Sequence, residues 1–200
     1  MKPLVITFAN LKGGVGKSTS AIHLARYFVT HHGPVTLVDS DDLGTCLGWE
    51  GGEGRMGFPV VRPGGSVETP YIIVDTAAHP SDKEIMAINE ASDLVIVPCQ
   101  PSEADLKATV KLFMRHDLKN AVVLITVGDP SLNKDEREVR ATLKKLQIPT
   151  LASRIRRYNA YRAALKANTT VDQLVAYGVN NASASRAWED YVRLGEEIMA

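Results

Sequence analysis

Cysteine is scarce in this chain. Its 200 residues hold two, Cys46 and Cys99, far apart and without metal-ligand spacing. That argues against a secreted disulfide scaffold and for a reduced, cytosolic protein. Both thiols are expected to be small apolar fillers. Net charge is missing as well: Lys and Arg number 23, and so do Asp and Glu. The chain is therefore no polyelectrolyte, and any nucleic-acid affinity has to come from a local patch. No apolar run approaches the ~20 residues that span a bilayer. The apolar stretch near the N-terminus leads into a glycine loop rather than a cleavage site, so a soluble, cytoplasmic protein is expected. The sequence shows no internal repeat, low-complexity tail or interdomain linker. This length and a 44% hydrophobic content suit one domain over residues 1–200.

What is present is an alternation of apolar runs with helix-period segments, the pattern of a mostly parallel sheet covered by helices on both faces. The runs place strands near 3–9, 35–39, 58–61, 71–75, 94–98, 121–127 and 149–152. Leu106, Val110, Phe113 and Met114 define one amphipathic helix, and Val139, Leu143 and Leu146 another, each stripe facing the core. The segment from Gly44 to Gly65 holds eight glycines and two prolines, so it reads as a connection with little regular structure.

The most specific feature is Lys12-Gly13-Gly14-Val15-Gly16-Lys17-Ser18-Thr19, which follows the apolar run Leu4–Phe8 and opens a helical segment. Glycines let the backbone turn tightly, so that amide N–H groups and the helix N-terminus converge on phosphate. In that chemistry Lys17 neutralises the β- and γ-phosphates, the Ser18 hydroxyl ligates Mg²⁺, and Thr19 caps the helix or contacts phosphate. The general pattern asks for glycine where this chain has Leu11, so the match is to a variant loop that begins with lysine. Two further strands deliver carboxylates to the C-terminal edge where open α/β sheets bind ligands. Val35–Val38 leads to Asp39, Asp41 and Asp42, and Tyr71–Val74 leads to Asp75.

Together these segments resemble the ParA/MinD superfamily of P-loop ATPases with a deviant phosphate loop. The resemblance implies ATP with Mg²⁺, and a homodimer in which Lys12 reaches the partner's nucleotide. It makes Lys12, Lys17 and Asp41 the catalytic residues and residues 12–19 the nucleotide loop. Ser18, Asp39 and Asp75 become the metal-holding groups, with Asp41 positioning the attacking water. Asp42 stands where the family pattern has proline, which leaves open whether Asp41 or Asp42 faces that water. Thr76-Ala77-Ala78-His79-Pro80 also departs from the family's switch loop, and a lone His79 there has no fixed partner to make it catalytic. Pro98-Cys99-Gln100-Pro101-Ser102 is similar to a ParA strand end, with Ser102 suited to cap the next helix. The small form implied has no N-terminal helix-turn-helix. Adenine recognition is expected from loops after later strands, including Gly128-Asp129-Pro130.

Between Thr150 and Thr170 stand Arg154, Arg156, Arg157, Arg162 and Lys166 and no acidic residue. That surplus resembles the nonspecific DNA-binding surface of ParA proteins, or marks a solvated face or arginines paired with the nucleotide or distant acids. The implied cycle is an ATP-held dimer associated with nucleoid DNA, released when a separately encoded adaptor stimulates hydrolysis. Membrane positioning of the MinD kind needs a basic amphipathic last helix, whereas residues 185–198 carry four acids against two arginines. No membrane partner is expected. A metabolic or redox enzyme of the superfamily is the other alternative; an iron-protein reductase would want cysteines at cluster spacing and a tyrosine kinase of this fold a tyrosine-rich tail, and the sequence shows neither. Plasmid, chromosome region or protein assembly all remain open as cargo.

Overall fold

The computed structural model describes residues 2–49, 56–65, 67–129, 131 and 134–200. Its frame is one parallel sheet of seven strands in the order β3-β2-β4-β1-β5-β6-β7. The strands are β1 (Leu4–Phe8), β2 (Val35–Ser40), β3 (Val60–Val61), β4 (Tyr71–Thr76), β5 (Leu94–Cys99), β6 (Ala121–Gly128) and β7 (Thr150–Arg156). The helices are α1 (Lys17–His31), α2 (Thr45–Trp49), α3 (Asp82–Ala91), α4 (Glu103–Arg115), α5 (Lys134–Lys145), α6 (Asn159–Lys166) and α7 (Ala184–Met199). The expected α/β architecture is thus present, and the described residues of the 44–65 connection hold one short helix and one two-residue strand. Residues 50–55 of that connection lie outside the described residues.

Period-2 alternation fills both faces of the sheet. Ile6, Phe8, Leu37, Ile73, Ile96 and Leu124 join α1, α6 and α7 in the larger core. Val95, Val97 and Ala121 pack with Ile85 of α3 and Leu112 of α4, and Val123 and Ile125 with Val139 and Leu143 of α5. Two expected stripe members are corrected. Met114 is 62% exposed and Leu146 38%, because the inner face of α4 runs through Asp105, Thr109 and Leu112, and Leu146 falls beyond the end of α5.

Helix α7 lies against α1 and β7. Its approach to α1 depends on Gly195, where an added Cβ would stand 2.0 Å from the Tyr27 ring. Glycine here permits contact rather than conformational freedom. The last helix is therefore packed on the sheet layer, as its acidic composition implies.

Candidate nucleotide and metal site

Because β1 is central, its C-terminal end feeds the glycine loop into the middle of the sheet edge. Gly14 and Gly16 adopt left-handed backbone angles, φ 73° and 92°, which a side chain would strain. Gly16 caps α1 without a side-chain hydrogen bond, and no acid occupies the first turn, so the helix N-terminus is free to meet an anion. Two of the loop's braces fall on the Gly14 and Val15 carbonyls and so occupy no loop amide. Gln100 Nε2 donates to Gly14 O at 2.7 Å and Thr126 Oγ1 to Val15 O at 2.8 Å. Asn10 Nδ2 reaches Pro98 O at 2.5 Å while its Oδ1 accepts from Lys12 N at 2.9 Å. Sequence reasoning missed all three braces. Gln100 was visible in its motif, whereas Asn10 and Thr126 become legible only through strand register.

Lys17 curls beneath the loop, its ammonium 3.3 Å from Lys12 O. Burial lowers its pKa, opposed by the charges of Asp75 and Asp41. Asp39 and Asp75 are register partners on β2 and β4, and both are fully buried. Asp39 Oδ1 accepts from Asp41 N at 3.1 Å and Oδ2 from Leu47 N at 3.0 Å. Asp41 Oδ1 accepts from Leu43 N at 3.0 Å. Asp75 Oδ2 accepts from the Cys46 thiol at 3.2 Å, so Cys46 is a polar partner in the site rather than the apolar filler expected. Burial pushes the Asp75 carboxyl up to about 6, with Asp39 adding to the rise, while Ser18, Cys46 and Lys17 draw it down. Its Oδ1 has no hydrogen-bond partner. An orphaned, buried carboxylate oxygen beside the Ser18 hydroxyl fits a hard divalent cation such as Mg²⁺. Among the described residues no group of three or more His, Cys, Asp or Glu could hold a metal unaided.

Lys12 is turned toward its own chain. Its ammonium lies 3.0 Å from Asp105 Oδ1, with 36% of the lysine side chain and 8% of the aspartate exposed. Asp105 N in turn donates to Ser102 Oγ at 3.2 Å, the cap expected for α4.

Beside the loop opens a cavity of about 410 Å³, lined by Gly14, Thr19, Thr126, Val127, Tyr158 and Arg162 among others. Val127, a β-branched residue, sits there at φ 54°, the kind of strain that gathers at ligand-facing sites. Gly128 O accepts from Arg157 N at 2.7 Å, and Asp129 Oδ1 from Ser131 N at 3.0 Å. Pro130 of the expected base-reading loop lies outside the described residues. His79 is exposed, at φ 59°.

The five basic residues divide. Arg154 Nη1 lies 2.6 Å from Glu136 Oε2 and Arg156 Nη2 2.6 Å from Asp190 Oδ1, and Arg156 also stacks on Tyr158 at 5.3 Å. Arg157, Arg162 and Lys166 are exposed. No described helix is long and apolar enough to cross a membrane.

A strand-loop-helix phosphate cradle with two buried carboxylates on adjacent strand ends defines a P-loop nucleotide-binding protein. The family model for the CobQ/CobB/MinD/ParA nucleotide-binding domain matches residues 6–171, and the chain belongs to that family. It is 30% identical over 212 residues to the maintenance of carboxysome distribution protein A of Gloeobacter kilaueensis, covering 98% of this chain and 94% of that one. To the protein of the same name from Halothiobacillus neapolitanus it is 26% identical, covering 88% and 90%. Its fold resembles that of an ATP-bound McdA variant from Cyanothece with a TM-score of 0.72 at 14% identity, covering 98% of this chain and 96% of that one.

Proposed function

We propose that this protein is a Mg²⁺-dependent ATPase that positions a cargo by cycling between an ATP-held dimer bound to DNA and released monomers. The observation that carries the reading is the glycine loop with two lysines. Lys17 is buried beneath the loop, and Lys12 stands half open at its mouth, in contact with Asp105. A lysine spent on its own phosphates would not need that position. Lys12 is suited to trade Asp105 for the nucleotide of a second copy, so ATP favours the dimer by differential contact.

Ser18, Asp39 and Asp75 would hold Mg²⁺, which offsets charge developing on the transferred phosphoryl group. Asp41 would orient the attacking water, with turnover slow until an adaptor protein stimulates it. Thr126, Val127 and Tyr158 would border the base and ribose. The names of the two similar proteins support a protein assembly as cargo, ahead of a plasmid or chromosome region.

For DNA, Arg157, Arg162 and Lys166 are the available cations, since Arg154 and Arg156 are held by acids. Such contacts read phosphate and weaken with salt, and a dimer doubles them through effective concentration. Arg157 and Arg162 also border the nucleotide cavity, so the test reads both ligands. Replacing Lys166, which does not line that cavity, with Glu is expected to weaken ATP-dependent retention on DNA at moderate salt while ATP affinity stays within about threefold, whereas Arg162→Glu is expected to weaken both. Unchanged retention would count decisively against DNA binding at this face.

A further inference from the structure

Asp41 is carried by a tight turn held by local hydrogen bonds. Gly44 N donates to Asp41 O at 2.9 Å, closing a turn with Asp42 and Leu43 at its centre. Leu43 N donates to Asp41 Oδ1 at 3.0 Å, and Asp41 N to Asp39 Oδ1 at 3.1 Å. Those three bonds are local to residues 39–44. A further bond comes from the residue just beyond β3: Arg62 Nη1 donates to the same Asp41 carbonyl at 2.6 Å.

The topology makes this reach possible. β3 pairs with β2 so that Val61 stands opposite Val38, which brings Arg62 to the end of β2 where the turn begins. Arg62 is itself anchored by its carbonyl, which accepts from Gly65 N at 3.0 Å. The guanidinium lies across Gly44, where an added Cβ would be 2.8 Å from Nη2 and the backbone is at φ 62°. Glycine at 44 thus serves both the turn and the arginine above it.

Asp42 occupies the first central position of the turn, where proline supplies rigidity by presetting φ. Aspartate supplies none, and it stands where the family pattern noted above has proline. We propose that Arg62 is a positioning residue for hydrolysis: by clasping the Asp41 carbonyl it holds the turn, and hence the Asp41 carboxylate, in the conformation a proline at 42 would otherwise enforce. The inference rests on the ATPase reading and on Asp41 as the water-orienting group. A carboxylate must be held to a fraction of an ångström to orient a water, and an exposed turn without proline or clasp is not.

The test combines single-turnover hydrolysis, ATP affinity and amide hydrogen exchange at Leu43 and Gly44 in Arg62→Ala, Arg62→Lys and Arg62→Ala with Asp42→Pro. Arg62→Ala is expected to slow turnover and speed exchange each about fivefold, the scale of one hydrogen bond from a charged donor at an exposed site. ATP affinity should hold within about twofold because the phosphate loop is untouched. Lysine, which lacks the planar fork, restores part of both effects, and Asp42→Pro restores both. Exchange and turnover indifferent to Arg62, or proline restoring exchange without turnover, would overturn the inference. A wild-type protein that hydrolyses no ATP yet shows Arg62-dependent protection would instead overturn the ATPase reading on which it rests.

Discussion

Asp75 shows how single residues here are held in costly states for chemistry. A carboxylate raised to about 6 by burial, with one oxygen unpartnered, is ionised at neutral pH at the expense of the empty fold. Asp75→Asn is therefore expected to stabilise the nucleotide-free protein at pH 7, on the order of 2 kcal/mol, while removing Mg²⁺-dependent nucleotide binding. Thermal melting with and without Mg²⁺ and ATP checks both parts, and an unchanged or lowered nucleotide-free melting temperature would refute the first. His23 carries the opposite sign. It is fully buried, its Nδ1 2.8 Å from Thr19 O and its Nε2 accepting from Val171 N at 3.2 Å, and it stacks on Tyr191 at 4.9 Å. Burial lowers its pKa to about 4. The folded state stays neutral while the unfolded chain takes up a proton near 6.5, so stability present above 6.5 is lost as pH falls toward 4, on the order of 3 kcal/mol. The difference in denaturant stability between wild type and His23→Gln should shrink over that window. A difference independent of pH would show that His23 is not buried neutral.

At the scale of elements, the strands were legible because both faces of a parallel sheet are buried, which leaves unbroken apolar runs. The phosphate loop was legible because its glycines and lysines are contiguous. What escaped depends on partners distant in sequence. Arg154 and Arg156 read as a basic surplus because no acid lies within their segment, yet Glu136 of α5 and Asp190 of α7 meet them in space. Glycine content gave the 44–65 connection as loop. Its short helix α2 is instead docked by Leu47 N on Asp39 and by Trp49 Nε1 on Thr169 O at 2.8 Å, and through it Cys46 reaches the Asp75 carboxylate. Gly195 is the same kind of case: a glycine inside a helix reads as a weakness, yet it is what lets α7 touch Tyr27. Gly195→Ala, stabilising in an isolated helix, is expected to lower stability here by about 1–3 kcal/mol through overpacking, read as a fall in melting temperature. A rise would mean that the α1–α7 contact is looser than this structure has it.

The whole molecule combines a neutral overall charge with exposed cations on one stretch after β7, and a phosphate loop whose first lysine rests on the buried carboxylate of Asp105. Those features make sense together if ATP joins two copies and adds their weak DNA contacts. The most direct test is sedimentation of wild type and Lys12→Ala with Mg²⁺ and a non-hydrolysable ATP analogue, with analogue binding measured in parallel. The account predicts that wild type doubles its mass with the analogue bound while Lys12→Ala binds the analogue and remains single. Wild type that stays single with its site filled, or a Lys12→Ala protein that pairs as readily as wild type, would contradict it.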